Sequence, residues 1–141
     1  MMQALALSLV LALHGQAETA GRCYDFERDS VALRGQVIRR VYPGRPNYES
    51  VRGGDEPDTV FVLRLASPLC MSASPAGEAQ PAVTEVQLYF AEGDARAVHA
   101  MRGRKVVLRG TLEEWTLGWH HLPVLLHVRL SRGASTNQRA V

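Results

Sequence analysis

One phrase occurs twice in the chain, as Val31-Ala-Leu-Arg-Gly-Gln-Val37 and as Val106-Val-Leu-Arg-Gly-Thr-Leu112. In both copies apolar and polar residues alternate, the period of a strand that buries one face, and a glycine interrupts the pattern. Glycine inside such a strand marks a bulge or a tight barrel corner. Two strands of this kind predict a small curved sheet rather than a helical bundle.

The same alternation extends the reading along the chain. A first strand over 31–42 sets Val31, Leu33 and Val37 on one face and Arg34 and Gln36 on the other. A second over about 59–66 points Phe61, Leu63 and Leu65 inward and Val62 and Arg64 outward, and Pro68 is expected to end it. A third over 83–90 buries Val86, Leu88 and Phe90, with Glu85, Gln87 and Tyr89 outside. Helical spacing of Ala95, Val98, His99 and Met101, with Asp94 placed as N-cap and Gly103 after the last turn, predicts one short helix. Strands over 105–114 and about 121–131 complete the set. The order of three strands, one helix and two strands is that of the OB-fold, a five-stranded Greek-key β-barrel. In that fold the first strand coils through the whole barrel, and Gly35 gives it a place to bend. A small two-sheet sandwich is the alternative, and it offers no reason for a lone helix between strands three and four.

Compartment is read from the first residues. Ala4 to Leu13 form an apolar run of ten, too short for the roughly 20 residues that span a bilayer, and Gly15-Gln16-Ala17 supplies the small residues of a cleavage site. Residues 1–17 are therefore expected to be a signal peptide, although Met1-Met-Gln3 lacks the usual lysine or arginine; a buried N-terminal helix or strand is the alternative. A single domain over 18–132 and a disordered tail over 133–141 follow. With two cysteines in a chain that leaves the cytoplasm, Cys23 and Cys70 are expected to pair as a disulfide. Basic and acidic residues nearly balance, 16 against 14, so no polyanionic partner such as nucleic acid is implied.

Loops carried by a rigid barrel are where binding residues collect. The loop between strands one and two holds Arg45, Asn47, Tyr48 and Glu49, and the loop between strands four and five holds Trp115, Trp119, His120 and His121. In OB barrels these two loops flank the binding face. Tyr48, Trp115 and Trp119 offer stacking surfaces, and Arg45, Glu49 and the histidines offer polar contacts. The ordinary alternative has Tyr48 and Trp119 folding back onto the barrel while Asn47 and Asp55 only stabilise turns.

His120 and His121 are the weak candidates for zinc or copper, because adjacent strand residues point to opposite faces and no third ligand is evident. No Gly-x-Ser-x-Gly elbow, phosphate-cradling loop or His-Glu-x-x-His helix occurs, so no catalytic residue is assigned and no cofactor is expected. A hydrolase of the envelope, built on outward carboxylates and arginines, is the least favoured reading.

Cys23-Tyr24, Leu33-Arg-Gly35, Pro46-Asn-Tyr-Glu-Ser50, Gly54-Asp-Glu56, Pro68-Leu-Cys70, Val86-Gln-Leu88, Gly103-Arg-Lys-Val106, Gly110-Thr-Leu112 and His120-His121 together resemble an exported bacterial family catalogued as domain of unknown function 4431. The likeness runs from about residue 23 to 128. It is most specific in Asn47-Tyr48-Glu49-Ser50 and the two cysteines, which a generic barrel does not require. The chain departs from that family where relatives carry a longer histidine run ending in threonine. The resemblance implies export, periplasmic or extracellular, and no particular activity. The combined expectation is a non-catalytic binding module of the envelope that meets an envelope protein or a cell-wall fragment through its two loops, with a metal-binding envelope protein as the alternative.

Overall fold

The computed structural model describes residues 22–116 and 120–130. The expected leader over 1–17 and the expected tail over 133–141 lie outside the described residues. Five strands, β1 (Ser30–Pro43), β2 (Pro57–Met71), β3 (Gln80–Tyr89), β4 (Lys105–Glu114) and β5 (Val124–Val128), close into a barrel in the order β1-β2-β3-β5-β4. All neighbours run antiparallel except β3 and β5. A single short helix, α1 (Ala95–Ala100), lies between β3 and β4. This is the expected OB-like barrel.

Closure depends on β1 serving two partners. Its first half pairs with β4 from Ser30 to Gln36, its second half with β2 from Gly35 to Pro43, and the exchange falls at Gly35. A Cβ there would press into the carbonyl of Arg64 and stand 2.9 Å from Leu63 Cγ, so only glycine lets the strands approach. Gly110, its counterpart in the repeated phrase, lies equally close to the backbone of His127 in β5. The repeat therefore marks the two seams where strands cross most tightly.

Alternating residues fill the interior as expected. Leu63, Leu112 and Leu126 are completely buried with Val37, Val86 and Val124, and Val98 of α1 closes one end of the barrel. Each such side chain contributes about 1.5–3 kcal/mol by leaving water. The N-terminal segment is tied on by the Cys23–Cys70 disulfide, with Cα atoms 4.4 Å apart, and by hydrogen bonds from Tyr24 N to Cys70 O and from Ser72 N to Tyr24 O.

Three local expectations are corrected. Pro68 does not end β2, which continues to Met71 through a register shift between Arg64 and Leu69; proline is tolerated there because the ladder is already interrupted. Asp94 makes no side-chain capping bond to α1, and a 3-10 turn over Glu92–Asp94 leads into the helix instead. The last strand begins at Val124 rather than near 121, because the preceding residues turn across the outer face of the barrel.

Candidate functional site

The loop from Gly44 to Glu56 leaves the β1–β2 hairpin through a closed neck. Gly44 N donates to Glu56 O, Glu56 N to Arg45 O, and Tyr48 N to Gly44 O, at 2.7–2.9 Å. Inside it sits Asp55, only 5% exposed. Its Oδ1 accepts from Asn47 N (2.9 Å) and Asn47 Nδ2 (3.2 Å), and its Oδ2 from Glu49 N (2.8 Å) and Ser50 N (2.9 Å). The donated N–H groups of Ser50, Asn47 and Glu49 hold this carboxyl below its ordinary range, against the opposing effect of desolvation. Ser50 Oγ then caps the 3-10 turn over Val51–Gly53 by accepting from Gly53 N.

The clamp fixes an unusual backbone. Tyr48 has φ of 60°, a left-handed conformation costly for a bulky residue unless its surroundings impose it. Tyr48 is 41% exposed and Val51 43% exposed. Tyr48 is therefore presented outward and does not plug the barrel, while Asn47 and Asp55 take the turn-stabilising role. Arg45 and Glu49 are exposed side chains with no ion-pair partner among the described residues.

Across the barrel mouth, the segment after β4 begins with Trp115, 53% exposed, whose indole N–H donates to the carbonyl of His120. Trp119 lies outside the described residues. His120 faces Tyr89 edge-on at 6.4 Å, and burial lowers its pKa. His121 turns the other way, stacked on Tyr42 at 4.6 Å with Nε2 2.7 Å from Asp58 Oδ2. The two histidines therefore have separate partners, and among the described residues no three His, Cys, Asp or Glu side chains converge on a possible metal site.

His121 joins the two loops, because Tyr42 and Asp58 are the residues from which the first loop rises. Its backbone N–H donates to Gln87 Oε1 (2.7 Å), as does that of Leu122 (3.3 Å), so a buried glutamine of β3 pins the 120–122 segment to the barrel. In register with Gln87 stand Val62 and Leu125, both buried although they point away from the main core. The part of the outer β2–β3 face around Val62 and Gln87, a face that OB barrels use for binding, is here covered by the chain's own segment.

Sequence reasoning did not find Tyr42, Asp58 or Gln87 as parts of this arrangement. The only hint was Gln87 in an outward position next to Tyr89. Nearby, Glu85 stays ionised: desolvation pushes its pKa up, but hydrogen bonds from Arg40 and Arg64 outweigh that and lower it.

No family model, curated protein or solved structure matches the chain.

The clamp predicts a pH signature. Asp55 binds its proton less readily in the folded chain than in the unfolded one, so its contribution is complete above the ordinary carboxylate range and is lost as pH falls through the depressed native value. The amide NMR signals of Asn47, Glu49 and Ser50 should move together, with a shared midpoint below that range. Separate midpoints, or one at the ordinary value, would show that the carboxylate does not organise the loop.

Proposed function

We propose that the chain is an exported, non-catalytic binding module of the bacterial cell envelope, which engages an envelope protein or a cell-wall fragment through the strand 1–2 loop and the Trp115 end of the strand 4–5 segment. The Asp55 clamp carries this reading. Four hydrogen bonds to one buried carboxylate hold a loop whose outward side chains are Tyr48 and Val51. A simple connection between strands needs no such ordering, whereas a binding loop fixed in advance loses less entropy on association. Exposed aromatic side chains on a rigid frame are the usual anchors of an interface.

Export is supported by the leader-like residues 1–17 and by the disulfide. Among the described residues no helix is long and apolar enough to cross a membrane.

The test is cosedimentation of the mature protein with isolated bacterial envelopes. Tyr48→Ala and Trp115→Ala should keep the melting temperature within a few degrees of wild type, because both rings are exposed, and should weaken cosedimentation by about tenfold or more. Wild-type cosedimentation by both variants, or unfolding of both, removes the basis for the proposal.

A further inference from the structure

The inner surface of the β1–β2 hairpin continues past the point where the barrel closes. Beyond Gln36, β1 has no β4 partner, and the space is filled partly by α1 and the turn that follows it. That turn is fastened to β1 by Gly103 N donating to Val37 O (2.7 Å) and Val37 N donating to Arg104 O (3.1 Å). Two residues further along β1, Arg39 faces the same gap from one side while Arg102 faces it from the other. The two arginines line an open depression of about 470 Å³ together with Thr59, Phe61 and His99, and all of these but Phe61 are exposed.

The chemistry of this lining is one-sided. It contains two guanidinium groups, an imidazole and a hydroxyl, with no carboxylate. Neither Arg39 nor Arg102 has a side-chain hydrogen bond or ion pair among the described residues, unlike Arg40 and Arg64, which both bind Glu85. Phe61 supplies an apolar floor, 8% exposed, with the His99 ring tilted against it at 4.6 Å. Guanidinium forks match the paired oxygens of a carboxylate or phosphate.

We infer that the depression between the β1–β2 hairpin and α1 binds a small organic anion, a carboxylate or phosphate whose charged head lies between Arg39 and Arg102 and whose apolar body rests on Phe61. The site is distinct from the two loops, and it stands or falls independently of them. Its position beside α1 leaves Tyr48 and Trp115 free for a second partner.

NMR titration of the mature protein with phenyl phosphate, benzoate, inorganic phosphate and neutral benzyl alcohol tests the inference. Phenyl phosphate or benzoate should give saturable shifts at Thr59, Phe61 and His99 by millimolar concentration, with the better of them binding more tightly than inorganic phosphate or benzyl alcohol. The Arg39→Gln, Arg102→Gln double variant should fold normally, since both side chains are exposed, and should weaken that binding by about tenfold or more. Absence of saturation by either organic anion overturns the inference. So does equal binding of benzyl alcohol, or unchanged binding to the double variant.

Discussion

Gly110→Ala is expected to destabilise the barrel by about 3 kcal/mol or more, enough to lower the melting temperature by roughly 10 °C or to prevent folding at ordinary growth temperature. The added methyl would stand 2.9 Å from the His127 carbonyl carbon and 3.1 Å from Leu126 Cδ1, and closer still to the carbonyl oxygen of His127. Backbone cannot step aside as a flexible side chain does. Relief would require β4 and β5 to separate where Gly110 pairs with Val128, beside the buried Leu126. Thermal unfolding followed by circular dichroism checks this, with Gly93→Ala as the control because a Cβ there meets nothing within 4 Å. Equal melting temperatures for the two variants would show that the seam is not close-packed.

Removing the disulfide should have a comparable effect by a different route. Cys23 and Cys70 are separated by 47 positions, and opening that loop in the unfolded chain corresponds to about 4 kcal/mol in the chain-entropy model. The Cys23→Ser, Cys70→Ser variant should therefore melt roughly 10–20 °C lower. Its folded state should keep the barrel, because the hydrogen bonds of Tyr24 to β2 do not involve sulfur. A loss of only a degree or two would mean that the N-terminal segment is held by those contacts alone.

The fold was legible where local pattern and tertiary demand coincide. In β4 the buried side of the alternation, Leu108, Gly110 and Leu112, is legible from the sequence, and the strand adopts the expected bounds of Lys105 and Glu114. Gly35 and Gly110 were readable because close approach of backbones leaves a compositional trace. The last strand was not readable to the same degree. His121 and Leu122 continue the apolar and polar alternation, but their N–H groups go to the side chain of Gln87 rather than to a neighbouring strand. Val62 looked solvent-facing by period, and it is buried because that segment crosses the outer surface.

The site divides in the same way. Asn47 to Asp55 lie within one loop, and their density of hydrogen-bonding groups was visible in sequence. The partnership of Asp58 with His121 spans 63 positions and follows no spacing rule, so it emerges only when the barrel brings the two loop bases together. The arginines around Phe61 were hidden for a related reason. Arg39 continues the inward side of β1 past the end of the core, where an inward position no longer means burial.

The proposed binding surface of the barrel is the loop clamped by Asp55. Envelope cosedimentation of Asp55→Asn tests it most directly, because the substitution keeps Tyr48 and the barrel while replacing an acceptor of four hydrogen bonds with a group that must donate from one side. The account predicts a barrel with wild-type core NMR signals, released amides at Asn47, Glu49 and Ser50, and cosedimentation reduced about tenfold or more, as for Tyr48→Ala. Released loop amides with undiminished cosedimentation would contradict it.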